Sequence, residues 1–435
     1  MRDETLYAQN AHTLLLPAST MKIVTLAAAA DRLGWDFTYR TRVTAVGAIQ
    51  GGMLGGDLLI EGSGDPSLDD WDGAASEVFA RWARELQKAG IRRITGRIVG
   101  DDNAFDDEGL GEGWAWDDLG SSYATRVGGL QYNENAARVV VGPGESAGEP
   151  ANVTVEPEAA QLVLRNLVAT VPAGAPGSIQ LRLLPLTATL ELRGAVRVDQ
   201  SPVTMNASVP NPTLYFANAV RLALVRNGIE VDGPAVDIDD LRDPPSRGAA
   251  PALTEAVSPP LATLASTMMK FSQNLFAESL LKTTGGSTSG TGSTDAGLTV
   301  VKATLAAWGV SANDVLMVDG SGLSRYNLIT PDALASVLMH VYKDDRLRER
   351  FIEALPNAGI DGTLSERMHD TSALGNARAK TGSLSNTRAL AGYVHTADRE
   401  PLVFAILANN TGVEARVVDA ATDAIVGALA AFSRR

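Results

Sequence analysis

Residues 14–22 read Leu-Leu-Leu-Pro-Ala-Ser-Thr-Met-Lys, a leucine run broken by a proline and then a serine three positions ahead of a lysine. The segment Met21-Lys22-Ile23-Val24-Thr25-Leu26 and the alanines after it favour a helix, with Pro17 where helices start and Gly34 where they stop. Positions i and i+3 share a face of such a helix, so the hydroxyl of Ser19 and the ammonium of Lys22 come within hydrogen-bonding reach. The same pattern also suits a serine cap beside a solvated lysine. Average usage supplies about one or two Ser-x-x-Lys matches in a chain of this length. Ser279-Leu280-Leu281-Lys282 is a second match here. What accompanies the motif therefore decides how it is read.

Two companions follow in order. Ser272-Gln273-Asn274 falls in a helical stretch, and Lys380-Thr381-Gly382 falls in a strand-like segment near the C-terminus. Ser-x-Asn is common, and Ser311-Ala312-Asn313 is a decoy in the same chain. Lys-Thr-Gly occurs once, where chance supplies about 0.1 per chain of this length. A rival signature, Gly144-Glu145-Ser146-Ala147-Gly148, fits the nucleophile elbow, which needs a strand before it and a helix after it. Pro150 and the β pattern NVTVEP follow instead, so it reads as a glycine-rich turn.

The composition is that of a globular chain: 435 residues, 45% hydrophobic and 20% charged, with length for two or three domains. Lys plus Arg 37 against Asp plus Glu 51 gives a net charge of -14, which disfavours nucleic acid or an anionic membrane surface by repulsion. The longest apolar run, residues 424–432, is far short of a bilayer span. The absence of cysteine excludes disulfides and thiolate metal sites, and His12, His340, His369 and His395 stand at no ligand spacing. No signal peptide is visible ahead of the first helix.

Texture changes along the chain mark its domains. FTYRTRVTAV and GDLLIEG alternate as strands around Gly51-Gly52, and Gly62-Ser63-Gly64-Asp65-Pro66 reads as a boundary. A helical pattern over 76–90, the strand-like RRITGRIVG and the acidic aromatic GWAWDDLG follow. Short β-rich pieces fill 139–200, and helices return from about Leu253. Residues 283–294 read as a flexible loop, and the C-terminal part as two adjacent strands closed by a helix. The expected division is 1–66 with 253–435, a second α/β domain of 67–140 with 202–252, and a small β-rich domain of 141–201.

The ordered set of Ser19-x-x-Lys22, Ser272-x-Asn274 and Lys380-Thr381-Gly382 resembles that of penicillin-binding proteins and β-lactamases. With the long separation of the first two motifs and the stretches EGSGDPSL, GWAWDDLG, DGSGLSR, NAGIDGTL and AKTGSLSNTRALAGYV, the chain resembles the class C low-molecular-mass penicillin-binding proteins, which are D-alanyl-D-alanine carboxypeptidases and endopeptidases. The resemblance implies an α+β fold. In it a transpeptidase/β-lactamase-like domain, an antiparallel sheet flanked by helices, is split by a large insertion forming two further domains. It also implies that the chain begins at the end of the family's usual first strand, and that the protein works outside the cytoplasm after losing a leader.

Residue roles follow from the same resemblance. Ser19 is expected to attack the carbonyl of the penultimate D-alanine, with Lys22 as its base, made less basic by burial and by the charge of Lys380. Ser272 would relay a proton to the leaving amine and Asn274 would hold the substrate amide. Lys380, Thr381 and Ser383 would bind the terminal carboxylate beside Gly382, and the N–H groups of Ser19 and Ser383 would form the oxyanion hole. Trp114, Asp117 and Arg325 are expected to read the side chain preceding the scissile D-alanines: an aromatic wall, a carboxylate for an ammonium and a guanidinium for a carboxylate. The implied partners are peptidoglycan stem peptides and β-lactam antibiotics, with no cofactor, metal or nucleic acid. A β-lactamase, or a catalytically inactive scaffold or wall-binding protein of the same fold, is the alternative.

Overall fold

The computed structural model describes residues 4–71, 73–184, 187–245 and 250–434. It contains two compact units, one of Met1–Thr38, Gly111–Trp114 and Pro259–Arg435 and the other of Tyr39–Leu110 and Ala115–Ser258. The first unit opens with the 3-10 turn Ala18–Thr20 and helix α1 (Met21–Leu33). Every residue of α1 from Met21 to Ala30 is buried, so this is a central helix, and over that stretch it is apolar around its circumference apart from Lys22 and Thr25. Gly34 caps it at φ +80°.

In the second unit β1 (Arg40–Gln50) and β2 (Met53–Gly62) form the hairpin expected across Gly51-Gly52. Helix α2 (Ala74–Lys88) buries Ala75, Phe79, Trp82, Ala83 and Leu86, one face at helical spacing. Strands β3 (Arg93–Ile94) and β4 (Ile98–Asp101) then run parallel to β2. Five strands follow the chain outward, β5 (Ala136–Gly142), β6 (Asn152–Glu156), β7 (Val163–Val171), β8 (Ser178–Leu183) and β9 (Thr189–Arg197), and β10 (Val203–Ser208) returns. Helix α3 (Pro212–Arg226), β11 (Glu230–Val231), β12 (Ala235–Asp237) and β13 (Thr254–Val257) complete the unit.

The larger sheet is ordered β11-β3-β2-β1-β13, with β4 between β2 and β12, and its core holds Phe79, Trp82, Tyr215 and Phe216. The sheets β10-β5-β6 and β7-β9-β8 share a separate core of Val139, Val141, Val168, Leu190, Leu192 and Val196. The sequence reading grouped residues 39–66 and 253–258 with the serine-bearing unit; they pack in the second one. Leu58, Leu59 and Ile60 of β2 pair with β4, and β13 pairs with β1. A strand's alternation says which face is buried and not which sheet it joins.

The first unit resumes with α4 (Leu261–Lys270), α5 (Asn274–Ser289) and α6 (Thr294–Ala307). The small pair β14 (Val315–Leu316) and β15 (Leu328–Ile329), then α7 (Pro331–Lys343) and α8 (Arg348–Ala354), lead to the main sheet. That sheet is β16 (Arg378–Leu384), β17 (Thr387–His395) and β18 (Pro401–Asn409), antiparallel throughout, followed by α9 (Ala415–Ala431). Alternate residues of β17 serve its two faces. Leu390 and Val394 pack with Val426 and Ala430 of α9, while the hydroxyl of Tyr393 donates to the Leu338 carbonyl of α7 at 2.8 Å. An antiparallel sheet flanked by helices, with further sheets elsewhere in the chain, is the α+β fold expected.

Three local expectations are corrected. Most of the segment 283–294 is helix and not loop, because α5 continues to Ser289 and only 290–293 connect it to α6. The hydroxyls of Thr283, Thr284, Ser287, Thr288 and Ser289 bond back to carbonyls three or four residues earlier. Gly285 and Gly297 also face backbone of the partner helix so closely that a Cβ on either would collide with it, so small residues that read as flexible are helix-packing residues. The C-terminal part has three strands, since AKTGSLSNTRALAGYV folds on itself through Asn386 at φ +60°. Ser272 lies between α4 and α5 in the left-handed region, at φ +60°, and not inside a helix.

Candidate active site

The turn that carries Ser19 is held on both sides by glycines. Gly382 of β16 packs against it so that a Cβ would stand 2.6 Å from the Pro17 carbonyl, and a Cβ on Gly322 would run into the carbonyl of Ala18. Ala18 itself sits at φ +46°, a conformation an alanine keeps only under tertiary constraint. One turn later Lys22, fully buried, directs its ammonium to three acceptors: Ser19 Oγ at 3.0 Å, Asn274 Oδ1 at 2.6 Å and the Ser321 carbonyl at 2.9 Å. Three protons and three acceptors match, and the proton toward Ser19 is the one that acid-base chemistry would exchange.

Burial brings the Lys22 ammonium down to about 7, against the partial opposition of the Glu278 and Asp319 carboxylates. Lys380, also fully buried, donates to Ser272 Oγ at 2.9 Å and to the Thr381 carbonyl at 2.9 Å. Its pKa falls well below the usual lysine range, first through burial and then through the charge of Lys22. Each lysine is thus paired with one serine, and Asn274, the first residue of α5, meets the first lysine. Thr381 donates to Thr363 Oγ1 at 2.7 Å, and Ser383 is exposed further along β16.

The structure brings Ser19, Lys22 and Asn274 into one bonded set and Ser272, Lys380 and Thr381 into another. Trp114 lies in the same unit, its indole N–H donating to Asp319 Oδ2 at 3.0 Å. Arg325 is exposed in that unit, while Asp117 is exposed in the other. The second Ser-x-x-Lys pair, Ser279 and Lys282, is buried within α5.

Two buried carboxylates escaped the sequence reading. Glu278, one turn beyond Asn274, accepts from the N–H groups of Gly320 at 2.9 Å and Ser321 at 2.7 Å. Burial, followed by repulsion from Asp319, lifts its carboxyl to about 7. Asp319 accepts from Gly322 N at 2.8 Å, Asn327 Nδ2 at 2.7 Å, Ser324 N at 2.6 Å and Trp114. Together they fix the 319–324 loop whose carbonyl receives Lys22. The four-residue spacing from Asn274 to Glu278 on a helix was the available signal.

A serine and a buried lysine one turn apart, under a sheet whose first strand carries Lys-Thr-Gly, mark the penicillin-binding class of serine peptidases. The match extends over the chain: residues 1–432 fit the D-Ala-D-Ala carboxypeptidase 3 (S13) family, and the chain belongs to it. It is therefore a serine-type D-Ala-D-Ala carboxypeptidase. A D-alanyl-D-alanine carboxypeptidase of an Actinomadura species is 33% identical over 99% of this chain and 79% of its own. D-alanyl-D-alanine carboxypeptidase DacB of Haemophilus influenzae is 30% identical over 91% of this chain and 80% of its own. The crystal structure of penicillin binding protein 4 from that organism superposes with a TM-score of 0.83 at 29% identity, covering 94% of this chain and 88% of the other. Among the described residues no helix is long and apolar enough to cross a membrane.

Proposed function

We propose that Ser19 is the nucleophile of a D-alanyl-D-alanine carboxypeptidase that also serves as an endopeptidase on peptidoglycan stem peptides. The observation that carries this reading is the 3.0 Å bond between Ser19 Oγ and a fully buried Lys22 whose pKa is brought to about 7. Neutral Lys22 takes the hydroxyl proton as Oγ attacks the carbonyl of the penultimate D-alanine. The Ser272 hydroxyl, held by Lys380, passes a proton to the departing amine, and Asn274 holds the peptide amide. Lys380 and Thr381 meet the terminal carboxylate, with Gly382 admitting the Ser19 turn against β16. The N–H groups of Ser19 and Ser383 receive the developing oxyanion, and water then releases the acyl group. β-Lactams acylate the same serine, and the substrate places the protein outside the cytoplasm.

For the side chain preceding the D-alanines, the reading favours diaminopimelate, whose terminal carboxylate Arg325 meets. The N–H of Trp114 is committed to Asp319, so its ring is what remains to offer as a wall. Turnover of diaminopimelate and lysine stem peptides, with products separated by chromatography, tests the reading. Wild type should prefer diaminopimelate by about 10- to 100-fold, and Arg325→Ala should narrow the preference. Release of no D-alanine from either peptide would overturn the proposed activity, and equal turnover of both would overturn the preference.

A further inference from the structure

The stretch Asn357-Ala-Gly-Ile-Asp-Gly-Thr-Leu364 has no part in the roles above, yet it is built against the site. Its start runs beside β16: Asn357 bridges Arg378, Ala358 N donates to the Ala377 carbonyl at 3.0 Å, and Ala379 N donates to the Pro356 carbonyl at 3.0 Å. Its middle is pinned to the end of α4, two residues before Ser272. Asp361 accepts from Lys270 Nζ at 2.7 Å and from its own loop at Asn357 N at 2.9 Å. Gly362 turns at φ +57° so close to α4 that a Cβ would meet the Lys270 carbonyl at 2.7 Å. The turn Gly362–Leu364 then buries Leu364 and leaves Thr363 exposed, its Oγ1 2.7 Å from Thr381 Oγ1.

We propose that Thr363 is a further hydroxyl of the substrate-carboxylate site and sets the preference for peptides that end in a free carboxylate. The inference rests on the reading that Thr381 meets that carboxylate. A carboxylate's two oxygens accept about four hydrogen bonds and a threonine hydroxyl gives one, so beside Lys380, Thr381 and Ser383 there is room for a further donor. In the free enzyme the Thr381 hydroxyl donates to that of Thr363. An arriving carboxylate turns both protons toward itself, one to each oxygen, in charge-assisted bonds that a neutral amide terminus does not form as strongly. The loop's attachments to α4 and β16 hold Thr363 in register with Thr381 before substrate binds.

The test is steady-state kcat/KM on two peptides that differ only in ending as the acid or the amide, for wild type, Thr363→Val, Thr363→Ser and Thr381→Val. Thr363→Val should lower the acid-over-amide preference about tenfold, chiefly through KM, and Thr363→Ser should keep it. Thr381→Val should lower the preference as well. A Thr363→Val enzyme that loses equally on both peptides, or on neither, overturns the inference while a selective loss in Thr381→Val leaves the underlying reading intact. If Thr381→Val shows no selective loss, the carboxylate reading itself falls and this inference with it.

Discussion

Replacing Lys22 by methionine is expected to slow acylation by about 10²- to 10⁴-fold, the range a positioned general base contributes. Methionine keeps most of the buried volume and removes the proton acceptor. An unshifted lysine, at 10.5, would be neutral in only about 0.03% of molecules at pH 7, whereas at about 7 it is neutral in about half. The acylation rate of the wild type should therefore rise with pH through an ascending limb near 7 and fall away below it as Lys22 takes its proton. Lys22→Arg, which stays charged throughout, should be slow at every pH. A wild-type rate flat from about pH 5 to 9 would contradict this role for Lys22.

The same shift has a consequence for stability, with its sign fixed by linkage. Folded Lys22 releases its proton near 7 and the unfolded chain near 10.5, so between those values the unfolded state binds more protons and stability rises with pH. The cost of burying the ammonium is full below pH 7 and recedes above it. Lys22→Met should accordingly raise Tm more at pH 6 than at pH 9.

Asp319→Ala should produce the largest loss of stability of any single change at the site. Its carboxylate accepts four hydrogen bonds in a fully buried position. Each donor left without a partner costs about 1–3 kcal/mol, and because the four share one carboxylate the sum is not additive. A loss of about 4 kcal/mol or more is expected, a large fraction of the stability of an ordinary domain. Because the chain has two units, the relevant unfolding transition is the one that penicillin acylation moves. Acylation should fall in parallel, since the 319–324 loop supplies the Ser321 carbonyl that receives Lys22. Asp319→Asn keeps one acceptor oxygen and should fall between. Unchanged melting and acylation in Asp319→Ala would remove the loop from the account.

The motifs were legible because their element types were: a helix start at Ser19, a strand at Lys380, and helical segments on both sides of Ser272. Less legible were positions where packing overrode local pattern. TLASTMMKFSQNLFAESLLK has one unbroken helical period, and nothing in it announces that the backbone turns left-handed at Ser272. Ser, Thr and Gly at 283–289 suit a loop until a second helix packs on the glycines. The β1–β2 hairpin and the strand-like RRITGRIVG were visible, but the pairing of β1 and β2 with β3, β4 and β13 in one sheet is not encoded in their alternation. Glu278 and Asp319 drew no reading of their own because burial is a property of the assembled core. Four of the hydrogen bonds they accept come from backbone N–H groups, which carry no residue signature at all.

Covalent chemistry at Ser19 is the claim on which the rest depends. The direct measurement is intact mass after incubation with penicillin for wild type, Ser19→Ala and Ser279→Ala. A single adduct in wild type and in Ser279→Ala, with none in Ser19→Ala, is the predicted result. An adduct of the same mass persisting in Ser19→Ala would contradict it.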